Sequence, residues 1–367
     1  MNILSRKVEN IKSSLIRKMF DLASKNNGEF ISFAIGQPHF EVPKKLKKSM
    51  INAIKNDFNV YAPTQGILEL REIIAKKLNK ENQIKAKSEN VIVTSGVSGA
   101  LFLVFASILN PGDEIIIPDP YFTLYKELVI FLEGTPVYLD TYPNFRIDSI
   151  QLEKLINSKT KALIINSPNN PTGIVLSKKE LKDIADVAKK HNLLIISDEI
   201  YEKFDYEKKF FSIGSIYDNT VTLNGFSKNY AITGWRVGYA HGPNEIIQAM
   251  NKLQQYTFVC APLPAQIALL NSWGSEPKKE YKSYKNKRDI LYLKLKNKYE
   301  IYKPEGAFYV FIKIPKGHKD FINELIDKKV LVVPSEAFSV NKNYFRISFA
   351  VDDDELKKGI TILNNLR

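Results

Sequence analysis

Lys228 and Arg236 are the residues whose types and spacing first suggest chemistry. They lie in Asn224-Gly-Phe-Ser-Lys-Asn-Tyr-Ala-Ile-Thr-Gly-Trp-Arg-Val-Gly-Tyr239. The short β-branched run Val221–Leu223 precedes the lysine, which puts Lys228 in the loop after a buried strand. Arg236 follows eight residues later and opens another strand-like run, Val237–Ala240. A lysine and an arginine held at rigid strand ends suit a ligand with one carbonyl and one phosphate. The amine forms a Schiff base, and the guanidinium fork meets the phosphate with two parallel hydrogen bonds. A lone lysine in so lysine-rich a chain would be read as a solvated cation; the residues around it argue otherwise.

Other strand ends carry groups of the same kind. Val91–Thr94 runs into Ser-Gly-Val-Ser-Gly and a strongly apolar helix, so the helix N-terminus offers unpaired N–H groups and a positive dipole end. A phosphate at Gly96, Val97 and Ser98 follows from that arrangement. Ala162–Ile165 leads into Asn-Ser-Pro-Asn-Asn-Pro-Thr-Gly173, more turn residues than a simple turn requires. Leu193–Ile196 is four apolar residues in a row, a strand covered on both faces, and Asp198 at its end needs a partner once buried. Arg346 is a single cation within the otherwise apolar strand Tyr344–Phe349.

Ser-Lys-x-x-x-x-Thr-Gly-Trp-Arg-x-Gly-Tyr closely resembles the cofactor-lysine motif of the class I/II aminotransferases, which use pyridoxal 5'-phosphate (PLP) on fold type I. With the segments ending at Asn170, Asp198 and Tyr201, the resemblance spans the chain from Gly36 to Arg346. It implies a large domain with a mainly parallel seven-stranded sheet between helices, plus a small α/β domain. The large domain is expected at residues 41–280, and the small one at 1–40 with 281–367. The resemblance implies that Lys228 holds PLP, Asp198 meets its ring nitrogen, and Tyr201 and Asn170 donate to its phenolic oxygen. By the same resemblance Phe122 stacks on the ring, with Tyr121 as the alternative one residue away. Gly36, Asn170 and Arg346 bind the substrate carboxylate, and Tyr61 reaches the phosphate of a neighbouring subunit in a homodimer. Gly225 stands where many relatives have a phosphate-binding serine, so Ser227 takes part of that load. Ser98 occupies a position where some aspartate-specific relatives carry lysine, which leaves aspartate, aromatic and broad neutral donors open, with 2-oxoglutarate as acceptor. A carbon–sulfur β-lyase on the same fold would share these residues. A PLP-binding regulator fused to a DNA-binding module is disfavoured, since about 30 residues precede the Gly36 segment.

Composition agrees with an enzyme of this kind. Apolar residues make up 44% and charged residues 25% of 367, ordinary for a globular chain. The net charge of +13 is dispersed, and no nucleic-acid motif accompanies it. Only eight of the 53 basic residues are arginine, so each arginine is the more informative. No apolar run is long enough for a membrane span, and no metal-ligand cluster is expected. The single cysteine, Cys260, suits a reducing cytoplasm.

The elements that must position these groups alternate. Strands and helices interleave from residue 91 to 240, which predicts a mainly parallel sheet with its site outside the carboxyl ends of the strands. Residues 1–30 read as one amphipathic helix ending in a turn at Asn26-Asn27-Gly28. Ser177–His191 reads as a helix capped by Ser177, and Ser283–Lys298 as a long helix leading to the second domain. Val330–Pro334 reads as a single strand.

Overall fold

A computed structural model describes residues 3–25, 29–318 and 320–366. The expected turn at residues 26–28 lies outside them. Seven strands form the main sheet, in the order Val91–Thr94, Gly238–His241, Thr220–Gly225, Leu194–Asp198, Thr160–Asn166, Glu114–Asp119 and Thr135–Asp140. All run the same way except Gly238–His241, which is antiparallel to both neighbours. Leu194–Asp198 and Thr220–Gly225 at the centre and Val91–Thr94 at one edge are buried along their whole length, which explains the unbroken runs Leu194-Ile-Ile196 and Val91-Ile-Val93. Helices cover both faces; Gly96–Ile108 and Asn244–Tyr256 pack in one apolar cluster with the sheet, Lys178–Lys190 in another. The last of these begins with a complete capping box, Ser177 Oγ accepting from Glu180 N–H and the Glu180 carboxylate accepting from Ser177 N–H.

The direction of the one reversed strand matters for the site. Parallel strands put their C-terminal residues at one edge of the sheet, whereas an antiparallel neighbour puts its first residues there. Thr220–Gly225 and Gly238–His241 are therefore joined at that edge by a single loop, residues 226–237. Lys228 and Arg236 come together because one follows its strand and the other precedes its own. Gly225 and Gly238 face each other across this pair, and a side chain on Gly238 would collide with the backbone of Gly96 and Val97, 2.7–2.8 Å away. Gly238 thus lets the helix N-terminus settle directly on the sheet.

A second, antiparallel sheet holds Val333–Pro334, Tyr344–Ser348 and Tyr309–Lys313. Val330–Leu331 pairs separately with Ile31–Ser32, so the expected single strand at 330–334 is divided between two sheets. The N-terminal helix is divided too, into Arg6–Asn10 and Leu15–Lys25. Ser14 Oγ accepts from Arg17 N–H at 3.2 Å, so a serine inside the amphipathic pattern starts a new helix instead of continuing the old one. The long helix before the second sheet starts earlier than expected, at Lys278, and ends at Leu295.

Gly359, in the helix Asp353–Asn365, lies against the fully buried Phe33 ring, and a Cβ there would fall on ring carbons Cζ and Cε2. Alanine gains up to about 1 kcal/mol of helix propensity, but overpacking a core costs about 1–3 kcal/mol. Gly359→Ala is expected to lower the urea unfolding midpoint; a raised midpoint would show that Phe33 moves aside freely.

Candidate active site

The carboxyl edge of the main sheet opens into a cavity of about 240 Å³. Lys228, Asp198, Tyr201, Asn170, Phe122, Val97, Ser98, Ser227, Arg236, Gly36 and Arg346 all line it. Gly96 lies just beneath; its φ is +67°, and a Cβ would come within 2.7 Å of an Arg236 guanidinium nitrogen. Only glycine leaves room for that guanidinium over the helix N-terminus. Tyr121 stacks on Tyr138 instead, so of the two aromatics Phe122 is the one in the cavity. Tyr61 is 83% exposed and lies outside the cavity of its own chain.

Lys228 Nζ donates to the Gly36 carbonyl at 2.7 Å. Burial, and then the positive charges of Arg346 and Arg236, pull its pKa down to about 8, against the opposing pull of Asp198. An amine with that pKa is substantially neutral, hence nucleophilic, in weakly alkaline solution. Asp198 is buried at the end of its strand, and desolvation pushes its pKa up to about 6. Tyr125 O–H at 2.7 Å and Ile200 N–H at 3.2 Å donate to its carboxylate and limit that rise, as does Lys228.

Arg346 is 1% exposed, between the rings of Tyr309 and Phe338, each about 4.5 Å from the guanidinium carbon. It donates to Asn170 Oδ1 at 3.0 Å and to the Ala34 carbonyl at 2.6 Å. Its Nε is buried with no hydrogen-bond partner in the protein. Such an orphaned donor on a buried cation is costly unless an anion enters. With Oδ1 held by Arg346, Asn170 has its amide nitrogen to offer. Tyr201 O–H lies 2.9 Å from Tyr309 O–H, and burial raises both phenols above their ordinary pKa.

The donor set fits PLP: a depressed lysine for the aldehyde, a buried carboxylate for the ring nitrogen, a flat Phe122, and a phosphate cradle of Arg236, Ser227 and the Gly96 helix end. Several lining residues escaped the sequence reading. Tyr125 follows Phe122 by three residues in the helix Thr123–Phe131, and that spacing could have marked it. Tyr309 and Ile16 arrive through tertiary packing and carry no local signal.

The family described as aminotransferase class I and II matches residues 28–363. A probable aspartate aminotransferase of Methanocaldococcus jannaschii is 38% identical over 99% of this chain and 100% of its own. Aromatic-amino-acid aminotransferase 2 of Thermococcus litoralis is 38% identical, covering 97% of this chain and 96% of its own. Among solved structures, the aspartate aminotransferase of Thermus thermophilus with maleate superposes with a TM-score of 0.92 at 34% identity, covering 99% of both chains.

The raised pKa of Asp198 has a sign that can be tested. A carboxyl whose folded pKa exceeds its ordinary 3.8 stabilises the fold at low pH, and that contribution is lost as pH rises through about 6. At pH 7 the ligand-free protein therefore bears the cost of an ionised, buried Asp198. Asp198→Asn is expected to melt higher than the native protein at pH 7 without ligand, with the advantage shrinking toward pH 4. Equal melting temperatures at pH 7 would mean that Tyr125 and Lys228 fully compensate the burial.

Proposed function

The chain belongs to the class I and II aminotransferases, PLP-dependent enzymes that move an amino group between an amino acid and a 2-oxo acid, and on that premise we propose how its residues divide the work. When bound, PLP supplies a carbonyl that takes up the amino group and a ring that accepts the electron pair left at the substrate's Cα. Lys228 would hold the cofactor, Asp198 its ring nitrogen, and Phe122 one face of the ring. Asn170 and Tyr201 would donate to the phenolic oxygen. Arg236, Ser227 and the N–H groups of Gly96, Val97 and Ser98 would take the phosphate.

The observation that carries this assignment is the placement of Lys228 and Arg346 in one cavity, with the orphaned Arg346 Nε facing no protein acceptor. Arg346 and Asn170 would grip the α-carboxylate, with Gly36 leaving its backbone free to approach. Once released by the amine of the substrate, Lys228 Nζ takes the proton from Cα, a role suited to a base with a pKa near 8. Tyr309, bonded to Tyr201 and stacked on Arg346, keeps both in place.

The active enzyme in this reading is a homodimer. Phe58, Val60, Tyr61, Tyr256, Phe258 and Val259 are exposed apolar or aromatic side chains. Phe258 packs edge-on against Phe102 of the helix Gly96–Ile108, which ties this surface to the phosphate cradle. Tyr61 would cross to the phosphate of the second subunit. The two parts of the chain, 41–280 and 1–40 with 281–367, are proposed as the large and small domains, and the single cysteine fits a cytoplasmic setting.

Amino acids added to the PLP-loaded protein without an oxo acid are expected to shift its absorbance to that of the amino form and release the matching 2-oxo acid. Ammonia and pyruvate from a sulfur amino acid, with the band unchanged, would assign the β-lyase reaction instead. Lys228→Ala is expected to lose both the lysine-bound absorbance and turnover, by at least about 10³-fold for loss of nucleophile and base together. Tyr61→Phe is expected to weaken PLP affinity without changing the melting temperature of the ligand-free protein; unaltered affinity would remove Tyr61 from the site.

A further inference from the structure

The lining side chains that these assignments leave without a task include three that are apolar. Ile16 reaches the cavity from the helix Leu15–Lys25, Val97 and Leu101 from the first turns of Gly96–Ile108. Ile16 packs in the same apolar cluster as Ala34 and Phe338. Those two residues also frame Arg346, which donates to the Ala34 carbonyl and stacks on Phe338. Ile16 therefore lines the same cavity as the arginine assigned to the α-carboxylate, and packs in the cluster that holds that arginine's neighbours.

Among the described residues the cations lining this cavity are Lys228, Arg236 and Arg346, and the assignments above engage them with the cofactor's carbonyl, its phosphate and the α-carboxylate. Lys18 is two residues beyond Ile16, about 200° round the helix, and lines a separate groove with Lys12, Lys126 and Glu127. Arg17 pairs with Asp21, Arg146 with Glu180 and Glu305, and Arg288 with Glu207, while Arg71 donates to the Gly66 and Ser88 carbonyls. A side-chain carboxylate lodged against Ile16, Val97 and Leu101 would lose water with no further cation to meet it among the described residues that line this subunit's cavity. An apolar or aromatic side chain would gain by the same burial.

We propose that Ile16, with Val97 and Leu101, forms the side-chain subsite and selects amino donors with apolar or aromatic side chains over acidic ones. This rests on the aminotransferase assignment above, so its test includes a binding measurement that needs no turnover. Calorimetric titration of the PLP-loaded enzyme with two unreactive carboxylates, 3-phenylpropionate and succinate, is expected to find the first bound at least about tenfold more tightly. Ile16→Lys is expected to narrow or reverse that ratio by about tenfold, and Ile16→Thr to move it the same way by less. In turnover, kcat/KM is expected to be higher for phenylalanine and leucine than for aspartate. Succinate binding as tightly as 3-phenylpropionate, a ratio unmoved in both variants, or a preference for aspartate would overturn the proposal. If no amino acid alters the cofactor absorbance, the catalytic assignment fails, and the calorimetric ratio still decides the subsite.

Discussion

Among the described residues three cations and one carboxylate line one cavity, and the rest of the structure answers to that concentration of like charge. Lys228 is driven toward its neutral form by Arg346 and Arg236 as well as by burial. Arg346 is kept in place by two aromatic faces, a carbonyl and an amide, none of which carries the negative charge that would cancel it. Asp198 supplies the only carboxylate lining the cavity among the described residues, and Tyr125 limits its retreat into the protonated form. The site is thus arranged for an anionic visitor, and its resting state is electrostatically incomplete.

The same logic extends one layer deeper. Glu199, next to Asp198, is buried with its carboxyl raised to about 8 by desolvation, and Ser212, Ser197 and Asn82 donate to it. Glu202 is paired with the buried Lys77 beside it. These groups turn away from the cavity and fasten the Asp198 loop to the helix Leu68–Glu81. Neutral hydrogen bonding supports one carboxyl and a salt bridge the other, so the loop is held without adding net charge beneath Lys228.

Much of this could be read from the chain before its coordinates. A buried parallel strand is a continuous apolar run, so a carboxylate at its end is conspicuous, as Asp198 is; Lys228 and Asn170 were marked instead by the motifs around them, Ser-Lys-x-x-x-x-Thr-Gly-Trp-Arg-x-Gly-Tyr and Ser-Pro-Asn-Asn-Pro-Thr-Gly. Arg346 stood out because a cation in an apolar strand must have a reason. Phe122 needed the structure to separate it from Tyr121, since adjacent residues at a helix start differ in direction and not in pattern. Tyr309 and Ile16 were hidden because their positions depend on how the second sheet and the N-terminal helix dock, which no local spacing encodes. The break at Ser14 was missed for a different reason. Amphipathic periodicity runs through both helices, and the serine that divides them acts through a single side-chain hydrogen bond.

The reversed strand Gly238–His241 leaves the main sheet with two unlike rims. One rim carries every loop that reaches the cavity, including 226–237, where the lysine and the arginine are fixed by the ends of neighbouring strands. The other rim carries turns such as those near Asn192 and Asp218, which contribute none of the lining residues. Change in loop length is therefore unequally tolerated around the molecule. A residue inserted at Asn192 lengthens a surface turn, whereas one inserted between Lys228 and Arg236 alters the gap between amine and guanidinium. Descent with insertions and deletions should sculpt the far rim and leave the near one at constant length.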